Sequence, residues 1–154
     1  MKRFCLVLFF VFLAVEAHAQ GGFVQDYKGM VFGKEMTDPH VMKKDHQQGD
    51  LIFYTRYGDD HTFQGVPLQS QFYGYAGGRL ALVLFNARGP SAYNAFKSYF
   101  DAHYGQAMQP QMNVKRFAYA AGDVDIQLSY DENHKMAEVG YLYRPLFKQA
   151  MSGK

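Results

Sequence analysis

The sequence predicts an α+β fold: an antiparallel sheet of about five to seven strands with one main helix, residues ~90–104, packed on one face. Three observations lead there. The pair Gly77-Gly78 joins two β-forming runs as a tight hairpin turn would. Between Gly89 and Gly105 the apolar residues recur at three- and four-residue spacing, with proline at the start and glycine just past the end. After Val124, apolar and polar residues alternate as in a sheet with one wet side.

The chain opens with Met1-Lys2-Arg3, then an apolar run from Phe4 to Val15, then Glu16-Ala17-His18-Ala19. This is the order of a secretory signal, with Ala17 and Ala19 as the small residues before cleavage. The run is shorter than the ~20 apolar residues that cross a bilayer, so residues 1–19 read as a signal peptide and residues 20–154 as a single mature α+β domain. The expected location is periplasmic or secreted, with no stable membrane anchor after cleavage near Ala19/Gln20. Loss of Lys2, Arg3 and Glu16 leaves fourteen basic and thirteen acidic side chains, a balance that argues against a nucleic-acid binder. The only cysteine, Cys5, lies in the signal. Disulfides and thiol nucleophiles are therefore ruled out of the mature domain, and packing must stabilise it.

Gln20 to Lys28 is glycine-rich and polar at its start, which predicts a loose N-terminus; Met30 to Gly33 suggests a short strand. Asp38-Pro39 fits a helix N-cap and first helical position. The residues after it equally suit a strand that turns at 46–50 and pairs with Leu51–Arg56, and the hairpin is the preferred reading. In the hairpin about Gly77-Gly78, pairing Ala76 with Arg79 puts Tyr73, Tyr75, Leu80, Leu82 and Leu84 on one face. Phe72, Gly74, Ala76, Ala81, Val83 and Phe85 then fall on the other. Both faces are apolar, so the ribbon is expected at the centre of the sheet with cover on both sides.

Three strands follow the helix: Val114 to Ala120, Val124 to Tyr130 and Lys135 to Tyr143. Folding the last two about residues 131–134 opposes Tyr130 to Lys135. That register places Val124, Ile126, Leu128, Tyr130, Ala137, Val139 and Tyr141 on an inner face, and Asp125, Gln127, Ser129 and Glu138 on a solvated one. Arg144-Pro145 ends the ladder, and residues 146–151 have the choice of one last turn or a frayed end. The recurrence of strand, turn and strand before and after the helix leaves a duplicated helix-plus-hairpin unit as an open option.

From Gly49-Asp50 through Gly65-Val66-Pro67-Leu68, the Tyr73-Gly74-Tyr75 hairpin with Gly78-Arg79-Leu80, the helix ending in Tyr104-Gly105 and the strand from Val124, the chain resembles uncharacterised exported bacterial domains. The order of elements is also similar to the small α+β modules of outer-membrane assembly lipoproteins and of the secreted β-lactamase inhibitor. That resemblance implies a module that binds other proteins. The chain departs from the lipoproteins in lacking their lipidated cysteine, and shared architecture does not fix function.

No cofactor motif is present: Gly77-Gly78 lacks the Lys-Ser/Thr of a phosphate loop, and the histidines have no zinc-ligand spacing. No serine has the setting of a hydrolase nucleophile. Asp59-Asp60-His61 is the most suggestive chemical cluster, a weak metal candidate, since two carboxylates beside an imidazole can hold a cation. Neighbours on an extended chain point apart, however, and Gly58-Asp59-Asp60 is what a polar turn looks like. The strongest candidate site is a surface made of Tyr54, Arg56, Tyr57, Tyr73, Tyr75 and Arg79, the tyrosine-arginine mixture of protein interfaces. The expected function is therefore a non-catalytic module that binds an envelope or secreted protein. The alternatives are a small-ligand carrier with a pocket between helix and sheet, and a small metal-dependent hydrolase using Asp59, Asp60 and His61.

Overall fold

A computed structural model describes residues 22–152, so the predicted signal lies outside the described residues. The elements, in order, are β1 (Asp26–Tyr27), β2 (Met30–Val31), a 3-10 turn (Pro39–Val41), β3 (Met42–Gln48), β4 (Leu51–Arg56), β5 (Thr62–Phe63), β6 (Val66–Pro67), β7 (Ser70–Ala76), β8 (Arg79–Arg88), α1 (Pro90–Tyr104), β9 (Arg116–Ala121), β10 (Val124–Asp131), β11 (Met136–Tyr143) and α2 (Arg144–Ser152). Seven strands form one antiparallel sheet in the order β3-β4-β7-β8-β11-β10-β9, and β1-β2 and β5-β6 are separate two-stranded ribbons. The predicted α+β class, antiparallel sheet and main helix are all present.

Both readings of residues 38–48 are realised in sequence. Asp38 caps the 3-10 turn by accepting a hydrogen bond from the His40 amide at 3.2 Å, and the chain then runs into β3, which turns at Gly49-Asp50 into β4. α1 occupies its predicted span and buries Ala92, Tyr93, Phe96 and Phe100 against the sheet. Gly105, with positive φ, ends it.

One face of the sheet is covered by α1, β5-β6 and the N-terminal segment. Here the expectation of a loose N-terminus is corrected for the described residues. Val24, Tyr27 and Phe32 are core residues, and the Gly22 amide donates to the His103 carbonyl at 2.9 Å. Three apolar side chains in about ten residues supply enough burial to hold that segment down. Phe63, from the β5-β6 ribbon, fills the space between α1 and the sheet. Its ring centroid lies 4.8 Å from that of Phe85, 5.6 Å from Phe96 and 5.8 Å from Phe100.

The central hairpin departs from the predicted register. Ala76 pairs with Arg79 and Tyr75 with Leu80, but Gly74 then pairs with Leu82, leaving Ala81 as the extra residue of a bulge. Past the bulge every side chain of β8 changes face. Tyr73, Tyr75, Leu80, Val83 and Phe85 join the core under α1, while Leu82 and Leu84 face the opposite side. The C-terminal hairpin is shifted too, with Tyr130 opposite Ala137 instead of Lys135. A two-residue shift preserves the alternation, so all seven predicted inward residues of β10 and β11 are in the core.

α2 takes up the rest of the chain and packs on the other face. Its Leu146 and Phe147 cover Leu51, Phe53, Ala76, Ala81, Leu82 and Leu142. The two meanders β4-β7-β8 and β9-β10-β11 meet at the β8-β11 pair, but the helices that follow them cover opposite faces. What recurs is thus the run of strands.

Candidate functional site

Of the six predicted surface residues, Tyr73 and Tyr75 are 0% and 3% exposed and belong to the core under α1. Tyr54 is half-buried and meets Tyr75 edge-on, at 5.6 Å between ring centroids. Arg56 is also half-buried, whereas Tyr57 at the end of β4 and Arg79 in the β7-β8 turn are exposed. The six do not share one exposed face. The tyrosine hydroxyls, expected in water, are largely satisfied inside the protein.

Tyr73 shows how. Its hydroxyl donates to Asp59 Oδ2 at 2.6 Å and accepts from Gln71 Nε2 at 3.0 Å. Gln71 is the buried polar residue at the centre of this network. Its Nε2 also donates to Asp59, while its Oε1 accepts from the Tyr27 hydroxyl at 2.7 Å and from Lys28 Nζ at 3.0 Å. Lys28 Nζ further donates to the carbonyls of Asp60 and Thr62. Burial, and then the charges of Asp59 and Asp60, push the Tyr27 phenol well up. Burial and the hydrogen bond to Asp59 do the same for Tyr73. Both therefore stay protonated at neutral pH and serve as donors, not as bases. The network clasps the β1-β2 ribbon and the β4-β5 loop to β7.

The three residues of the metal candidate diverge, as neighbours on an extended chain should. Asp59 points inward to Gln71 and Tyr73, Asp60 accepts from Thr62 Oγ1 at 2.8 Å, and the His61 carbonyl accepts from the Leu68 amide. Among the described residues no group of three or more His, Cys, Asp or Glu is placed to hold a metal ion.

A different surface emerges on the face shared with α2, which covers only one end of it. In the line beyond the α2 cluster, Phe72, Leu84, Gly140, Gln127 and Ala118 stand in register across five strands. The next line is polar throughout: Ser70, Asn86, Glu138, Ser129 and Arg116. Asn86 Oδ1 is buried without a hydrogen-bond partner, and Glu138, half-buried beside it in the ladder, makes no side-chain hydrogen bond among the described residues. Burial, reinforced by the charge of Asp131, holds the Glu138 carboxyl above its ordinary value. Asp125 is likewise raised by burial, an effect opposed by Arg144, whose Nε lies 3.4 Å away.

Sequence reasoning placed Ser129, Glu138 and Gln127 on this face but missed Ser70, Asn86 and Arg116. The β8-β11 pairing that aligns the row joins residues some fifty positions apart, and no local pattern announces it. No protein-family model, curated protein or solved structure matches this chain.

Proposed function

We propose that this chain is an exported, non-catalytic module that binds a protein or other component of the bacterial envelope, and that it binds through the sheet face left open beside α2. The observation that carries the surface is the polar row across it, centred on Asn86 and Glu138. An acceptor buried without a donor, next to a half-buried carboxyl raised by its surroundings, costs stability in the free protein. A partner that supplies donors to that row removes the cost. Phe72 and Leu84 at the margin of α2 add the apolar ground on which interfaces are built. The export half of the reading rests on the basic, apolar and small-residue order of residues 1–19.

The test is affinity capture from an envelope extract with the chain from Gln20 onward, in three forms. These are the wild type, Asn86→Leu/Glu138→Leu, and Tyr57→Ser as a control away from the row. A stoichiometric partner held by the wild type and by Tyr57→Ser, and lost by the double variant, supports the reading. A partner retained by a folded double variant rules out this face.

A further inference from the structure

Six large apolar side chains are exposed among the described residues, and four of them, Phe23, Met108, Met112 and Val114, lie along the β9 edge of the sheet. The loop before β9 is pinned to it, since Met108 and Ala118 exchange backbone hydrogen bonds of 2.9 Å in both directions. Gln109 Nε2 donates to the carbonyls of Met112 and Val114 at 3.2 and 3.0 Å, which fixes the loop tip just ahead of the strand. At the far end Phe23 packs on Gly122, where a Cβ would collide with its ring, and the Val24 amide reaches the Ala121 carbonyl. The opposite edge is built in the contrary way. β3 presents Lys43, Lys44, Asp45, His46, Gln47 and Gln48 to solvent and is bulged at Asp45, the usual protection of a sheet edge.

We infer that the β9 rim faces a lipid bilayer, with Met108, Met112, Val114 and Phe23 as the apolar contacts. Two further observations select this occupant. The chain enters the described fold at Gly22, immediately beside Phe23, and the sequence upstream of it carries the apolar run Phe4–Val15. Whatever holds that run in a membrane brings this rim, and not the β3 edge, to the lipid surface. Basic side chains also flank the rim. Arg116 is exposed at the start of β9, and Arg144 donates to the Gly122 carbonyl at its end. Such cations suit anionic headgroups while the neighbouring methionines enter the acyl boundary. Methionine, flexible and polarizable, adapts to such a disordered partner.

The inference concerns a different surface from the polar row and borrows from the export reading only the apolar run. The experiment uses the full chain with Cys5→Ser, carrying one added cysteine, at Met112 or at Lys43, labelled with an environment-sensitive fluorophore. The probe membrane is vesicles of phosphatidylethanolamine and phosphatidylglycerol. The expected result is a lipid-like emission shift at position 112, quenched by a lipid-borne quencher, with a water-like signal at position 43. Adding Phe23→Ser, Met108→Gln and Val114→Gln is expected to return position 112 to the water-like signal with the circular dichroism unchanged. A tethered chain whose position 112 is as wet as position 43 overturns this inference alone, as does quenching that survives the polar triple variant. A chain that fails to float with the vesicles counts against the export reading as well.

Discussion

Tyr73 is fully buried, yet its hydroxyl both donates and accepts, and its removal separates packing from hydrogen bonding. Tyr73→Phe keeps the ring and leaves Asp59 and Gln71 each short of a partner, with an expected loss of about 1–3 kcal/mol in urea unfolding. Tyr73→Ala adds a cavity, and the expected loss rises to about 3–5 kcal/mol. Glu138 makes the opposite kind of statement. Its folded-state value is raised by burial, so the fold disfavours the ionised form. The penalty is absent below the ordinary glutamate range, grows as pH rises through the window between the ordinary and the raised value, and is constant above it. Relative to Glu138→Gln, the wild type is therefore expected to lose stability between about pH 3 and about pH 7. Unfolding midpoints of the two proteins at both pH values check it, and a constant difference would show that the carboxyl is not penalised.

The β7-β8 hairpin turns on two glycines, both at positive φ, Gly77 at 55° and Gly78 at 77°. That is the demand of a turn whose twist matches its strands. Gly77→Asn is expected to be close to neutral, while Gly78→Val forces a branched side chain into the left-handed region and costs roughly 1–2 kcal/mol. Thermal unfolding of the two variants distinguishes them. This turn, α1 with its flanking glycines and the inner faces of β10 and β11 were legible because each is written in adjacent residues or in a simple period. The bulge at Ala81 was not legible. Gln71 to Ala76 and Arg79 to Phe85 are apolar on both faces, so no polar residue marks where the alternation slips. The candidate site failed for a related reason. A tyrosine in a strand reads the same whether its hydroxyl meets water or Asp59, and only the fold brings the β4-β5 loop beneath Tyr73.

Taken whole, the molecule is one sheet whose two faces have unequal cover, α1 with the N-terminal segment on one and α2 on part of the other. A chain ending at Tyr143 would expose Leu51, Phe53, Leu82 and Leu142 together, an apolar patch of the kind that drives association. Its expected behaviour is aggregation at concentrations where the full-length protein is monodisperse, which light scattering would reveal. The centre of the sheet, β8 against β11, joins the two meanders at long range, and both must be in frame for either core to close. Here the single extra residue at Ala81 has a genetic consequence. Loss of that one codon leaves a sequence of almost unchanged composition whose residues from Leu82 to Arg88 are all read out of phase. A lineage can discard Ala81 only together with a compensating insertion elsewhere in the same strand. The position is therefore expected to tolerate substitution by other small residues far better than deletion.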